Sequence, residues 1–169
     1  YAFPDESRFN DPAYAELTYT RFAKSLLATP TTRLCAYATT SRTATETLMK
    51  ALAKFGFAGY VGKVNMDRNC AAGLLETTEE TIAQTRLWLE ETKDGVGAIY
   101  PILTPRYFPS CTESCLEQLG KLAEEYHVPV QSHLSEGLDE IDWVHELAPD
   151  LDYYAQAYDR AGLLGPHTQ

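Results

Sequence analysis

The sequence predicts an α/β fold of parallel strand–helix units forming about half of a (β/α)8 TIM-type barrel. Three observations carry this reading. Short strand-like runs rich in Thr and apolar residues alternate with amphipathic helical stretches along the chain. The helices are long enough to act as crossovers, which makes the strands parallel and their connections right-handed. Chemically capable side chains gather at the carboxyl ends of the three later strand runs, where barrels place their function. An open doubly wound sheet would also alternate in this way, but its Gly-x-Gly-x-x-Gly phosphate signature is absent. A whole barrel takes about 250 residues, so the 169 residues here make one partial domain over 1–169.

The elements follow in order. Pro12 to Leu27 places Tyr14, Leu17, Phe22 and Leu26 at rough helical spacing. "TTRLCAYATT" (31–40) suits a strand. "TATETLMKALAKFG" (43–56) is an amphipathic helix with Leu48, Met49, Leu52 and Phe55 inward and Gly56 ending it. "FAGYVGKVNM" (57–66) is the second strand. "TTEETIAQTRLWLEET" (77–92) opens with a Thr followed three residues later by Glu, the capping-box pattern. "AIYPILTPRYF" (98–108) is the third strand, and "SCTESCLEQLGKLAEEY" (110–126) a helix capped at Ser110 or Thr112. "VPVQSHL" (128–134) is the fourth strand, followed by helical stretches at 138–148 and 152–165.

Composition narrows the classes of partner. With 24 acidic and 14 basic residues the net charge is -10, which disfavours nucleic acid and anionic membrane surfaces. No apolar run is long enough to cross a bilayer, and "YAFPDESRFN" does not read as a signal peptide. The four cysteines, Cys35, Cys70, Cys111 and Cys115, do not form a disulfide framework and read as reduced thiols of a cytoplasmic protein. "PSCTESC" comes near the Pro-Cys-x-x-Cys of zinc deaminases of the cytidine type. Its thiols are one residue too far apart, however, and no His-x-Glu precedes them. Two thiols one turn apart at a helix start is the simpler reading.

The strand ends carry the candidates: Asn65, Asp67 and Arg68; Thr104 and Arg106; Ser132, His133 and Glu136. His133 is either a metal ligand at the barrel mouth or an imidazole bonded to the next loop. Glu136 is placed for proton transfer beside such a metal. Arg106 offers a planar fork to carbonyl and ring-nitrogen acceptors, or else makes a salt bridge. Tyr107 could stack on a flat ring, and Pro105 and Pro109 stiffen their loop. Asp67 and Arg68 read as a structural ion pair. His127, His145 and His167 receive no role.

Together "FPDESRF" (3–9), "VGKVNMDRN" (61–69), "PILTPRYFPSCT" (101–112) and "VQSHLSE" (130–136) resemble the guanine deaminase family of the metal-dependent amidohydrolase superfamily. The resemblance runs over essentially the whole chain. It implies a (β/α)8 barrel with one zinc ion that hydrolyses guanine to xanthine and ammonia. It also implies that His133 is a zinc ligand, that Glu136 shuttles protons, and that Arg106 hydrogen-bonds guanine. Tyr107 stands where the family usually has Phe. The family's His-x-His would lie before Tyr1, and its later His and Asp ligands beyond Gln169. The chain alone is therefore expected to be inactive, and either to pair with another copy as a dimer or to bind complementing segments. Two alternatives are an amidohydrolase acting on another aminated purine or a pteridine, and a non-catalytic α/β fragment serving as an assembly module.

Overall fold

A computed structural model describes residues 3–168. A short helix α1 (Phe3–Glu6) and a 3-10 turn (Ser7–Asn10), which the sequence pattern did not announce, lead into α2 (Pro12–Leu26). Asp11 starts α2 by accepting the Ala13 N–H at 2.9 Å, with Pro12 in the first turn. The buried stripe of α2 is Ala15, Tyr19 and Ala23, whereas Leu17 and Phe22 of the apolar spacing are 51% and 41% exposed. Alanine at two of those three positions lets the neighbouring helix α3 come close. That contact, rather than side-chain size, selects the buried face.

Next come β1 (Arg33–Tyr37), α3 (Arg42–Lys54), β2 (Ala58–Gly62) and β3 (Val64–Asn65). Ser41 caps α3, and Gly56 beyond its end sits at φ 80°, a left-handed conformation that glycine adopts without strain. The helix α4 (Thr78–Thr92) opens with both halves of the Thr77–Glu80 capping box in place. After β4 (Ala98–Pro101), β5 (Thr104–Pro105) and a 3-10 turn (Phe108–Ser110) comes α5 (Glu113–Tyr126). Its cap is Thr112, whose Oγ1 accepts from the Cys115 N–H at 3.1 Å; Ser110 belongs to the preceding turn. The chain continues through α6 (Leu138–Leu147) and α7 (Gln156–Arg160), the latter shorter than its sequence pattern.

All the strand pairs are parallel and follow chain order in space. β2 lies between β1 and β4, with Tyr37 opposite Gly62 and Val61 opposite Pro101, and β3 pairs with β5, with Val64 opposite Thr104. The predicted fourth strand is reduced to Val130, which bridges Leu103 on one side and Thr168 on the other, both in parallel. Two features shorten it. Pro129 has no N–H to donate. The ladder also skips a residue: the Gln131 N–H bonds the Leu103 carbonyl, but the His133 N–H bonds the Arg106 carbonyl, two steps against three. That bulge re-aims the end of the segment.

The helices cover one face of the sheet. Leu48, Met49, Leu52, Trp88, Leu89, Leu116 and Leu119 pack there against Val61, Ile99 and Leu103, all 2% exposed or less. A fully buried side chain of this size contributes about 1.5–3 kcal/mol. On the opposite face Cys35, Tyr60 and Tyr100 form a cross-strand row, with Tyr100 46% exposed. Cys111 and Cys115 are fully buried at the start of α5. Among the described residues no helix is long and apolar enough to cross a membrane.

Candidate active site

The carboxyl ends of the parallel segments meet at one rim, laced together by backbone hydrogen bonds. The Val64 N–H bonds the Thr39 carbonyl at 3.0 Å, the Arg106 N–H bonds that of Asn65 at 3.2 Å, and the His133 N–H bonds that of Arg106 at 3.2 Å. Beneath the rim Gln131, 4% exposed, donates from Nε2 to Thr104 Oγ1 at 2.9 Å and accepts from the Cys35 thiol at 2.9 Å. Gly62 makes room for this layer: a Cβ there would lie 1.7 Å from Thr104 Oγ1.

His133 is half-buried at the end of its segment, and its Nδ1 lies 2.8 Å from the Arg106 carbonyl oxygen. A carbonyl can only accept, so Nδ1 carries the hydrogen, which in the neutral ring leaves the lone pair on Nε2. The loop-bonded imidazole and the metal ligand are therefore compatible: a bond to a backbone carbonyl is how a metal-binding His is usually oriented. The ring rests on Tyr37 with centroids 4.6 Å apart. Tyr158 of α7 donates its hydroxyl to the His133 carbonyl at 2.8 Å and accepts from Ser132 Oγ at 2.9 Å.

Tyr37, which ends β1, supplies the ring against which His133 rests. Burial holds its phenol proton well above the ordinary range, with smaller effects from neighbours that include Arg106, which opposes the shift, and Glu136, which adds to it. Glu136 itself lies exposed on the loop before α6, just after Ser135 at φ 55°. The Arg106 guanidinium is three-quarters buried and pairs through Nη1 with Glu6 Oε2 at 2.9 Å, with the Met66 sulfur 3.8 Å away. The ring of Tyr107 meets Trp143 of α6 edge-on at 6.3 Å, and burial raises its phenol pKa.

Two expectations are corrected. Asp67 and Arg68 are not paired with each other. Asp67 accepts from the Thr112 N–H at 2.7 Å and from the Thr112 and Thr78 hydroxyls at 2.6 Å each. Arg68 donates to the Phe108 carbonyl at 2.8 Å and lies over that ring. Adjacent residues of an irregular loop point apart, and helix starts on either side present donors to the carboxylate. Asn65 does not face the rim either; it is fully buried and donates to Thr81 and Thr85 of α4 at 2.9 and 2.7 Å. The pleat turns its side chain to the helix layer.

Three contributors escaped the sequence reading: Tyr37, Glu6 and Tyr158. Tyr37 could have been found by applying the strand-end rule to the first strand as well as to the later ones. Glu6 lies in "FPDESRF", but nothing in its spacing announces a partner one hundred residues away.

This rim is that of an amidohydrolase: residues 3–168 match the amidohydrolase family, and the chain belongs to it. Its architecture is part of that family's TIM-type barrel. Within the family the chain is 39% identical over 169 residues to guanine deaminase of Dictyostelium discoideum, covering 99% of this chain and 38% of that relative. The crystal structure of guanine deaminase from C. acetobutylicum, with guanine bound in its active site, superposes with a TM-score of 0.96 at 42% identity, covering 99% of this chain and 40% of that one. An atrazine chlorohydrolase variant from Arthrobacter aurescens, complexed with zinc, shares the fold at a TM-score of 0.78 and 13% identity, covering 94% of this chain and 37% of that one. The chain thus spans well under half the length of the relatives it matches.

Proposed function

We propose that this chain is part of a guanine deaminase, which replaces the exocyclic amine of guanine by water to give xanthine and ammonia. The observation that carries the reading is the 2.8 Å bond from His133 Nδ1 to the Arg106 carbonyl. In the neutral ring this bond leaves Nε2 for a metal, and it links the metal-ligand candidate to the backbone of the substrate-binding candidate. The likeness to a structure solved with guanine bound supports the same reading.

The donor set fits zinc at one position. His133 Nε2 is a suitable ligand, but among the described residues no group of three or more His, Cys, Asp or Glu could hold a metal. In this reading the remaining ligands belong to parts of the barrel outside the chain, and the chain alone does not turn over guanine. Zinc bound there would supply a water acidic enough to react near pH 7. In this reading Arg106 donates to acceptor atoms of the purine, and Tyr107 offers its aromatic face for stacking on the ring. The Glu136 carboxylate takes up a proton and returns it to the departing amine, which leaves as ammonia. Tyr37 and Tyr158 keep the His133 ring and backbone in place.

The test uses a polypeptide of the relatives' full length that contains this segment, loaded with zinc and assayed for ammonia release from guanine, adenine and a pterin. Guanine turnover is expected, together with loss of zinc and activity in His133→Ala. A metal-loaded protein that leaves guanine intact removes the proposal.

A further inference from the structure

The Arg106–Glu6 ion pair is costly to build for stability alone. Both side chains are largely withdrawn from water, at 26% and 14% exposure, yet of the two Glu6 oxygens Oε2 alone reaches the guanidinium, at 2.9 Å. The other oxygen, Oε1, is buried without a hydrogen-bond partner among the described residues. A dry carboxylate with one oxygen unused gives back little of its lost hydration, and an apolar side chain would pack at least as well. The pair also joins distant parts of the chain. Glu6 ends a four-residue helix at the start of the chain, whereas Arg106 follows the third strand run at the rim.

We infer that Glu6 is a positioning residue that sets substrate specificity through Arg106, making the site select an uncharged purine over an anionic one. The inference rests on the guanine deaminase reading and adds a residue to it. A guanidinium alone at the mouth of a site attracts any anion, phosphate included. Paired with Glu6, Arg106 keeps its directional donors while its net charge is cancelled locally. The donors then serve neutral acceptors such as a ring nitrogen or a carbonyl oxygen. The carboxylate also fixes the rotation of the guanidinium plane, because Nη1 is held on one side by Oε2 and lies near the Met66 sulfur. A mobile Arg106 would bind substrate less well and would not change the bond-making step.

The test compares Glu6→Gln, Glu6→Asp, Arg106→Gln and the double variant Glu6→Gln/Arg106→Gln in the zinc-loaded, full-length polypeptide. Glu6→Gln should raise the KM for guanine about tenfold or more, with kcat changed less than about twofold. Inhibition by urate, an anionic purine, should become stronger by a similar factor. Glu6→Asp should recover part of the KM. In the Arg106→Gln background, Glu6→Gln should add nothing, because its effect passes through the arginine. An unchanged KM and urate inhibition in Glu6→Gln overturns the inference. So does a double variant in which the two effects multiply, or a Glu6→Asp variant that behaves like Glu6→Gln. Wild-type protein inactive on guanine removes the functional reading instead. The coupling is then read from equilibrium binding of hypoxanthine and urate, where Glu6→Gln must still shift preference toward the anion.

Discussion

Asp67→Ala removes one carboxylate that holds the starts of two helices. In the structure this side chain accepts three short hydrogen bonds, from the Thr112 N–H and from the hydroxyls of Thr112 and Thr78. Thr112 is the cap of α5 and Thr78 the first residue of α4, so the negative charge also lies where both helix dipoles favour it. Hydrogen bonds to a charged group contribute about 1.5–3 kcal/mol each, but three on one carboxylate do not add fully, and the freed hydroxyls regain water. The expected loss is about 3 kcal/mol, which for a chain of this size lowers Tm by about 6–12 °C. Asp67→Asn keeps one acceptor oxygen and should lose about half as much. Urea titration followed by tryptophan fluorescence measures it well, since Trp88 is fully buried on α4. A loss below about 1 kcal/mol for Asp67→Ala would refute the view that this carboxylate pins the two helices.

Two further outcomes follow from the rim. Tyr37→Ala takes away the ring on which His133 rests and should weaken zinc binding by the full-length polypeptide about tenfold, while Tyr37→Phe keeps the affinity; competition with a chelator reads both. Burial pushes the Tyr158 phenol up to about 12, so from its ordinary value near 10 to about 12 the unfolded chain gives up this proton while the folded chain keeps it. Stability should therefore fall as pH rises through that window. Tyr158→Phe should flatten the slope by up to about 1.4 kcal/mol per pH unit, measured by urea titrations at pH 9 to 12; an unchanged slope contradicts the assignment.

The helices were legible because their signals are local. The capping box at Thr77–Glu80, the Ser41-capped stripe of Leu48, Met49 and Leu52, and Gly56 after it all stand within one or two turns of sequence. The fourth strand was legible only as an extended run. Its bulge depends on the offset between Gln131 and His133 against Leu103 and Arg106, which is a pairing between two distant segments. The buried face of α2 was not legible for a similar reason: the close approach of α3 outranks the size of Leu17 and Phe22.

By itself the sequence determined the strand–helix alternation, the parallel order and the place of Arg106 just after the third strand run. Periodicity and caps are properties of neighbouring residues, and the right-handed crossover then leaves few topologies. Only the tertiary structure decided what the candidate side chains hold. The His133 tautomer is set by a carbonyl twenty-seven residues earlier, Arg106 is balanced by a carboxylate one hundred residues earlier, and Asp67 turns from its neighbour Arg68 to two helix starts. A hydrogen bond or an ion pair acts over a few ångströms of space, whatever the separation along the chain, so no local pattern of residues encodes its partner.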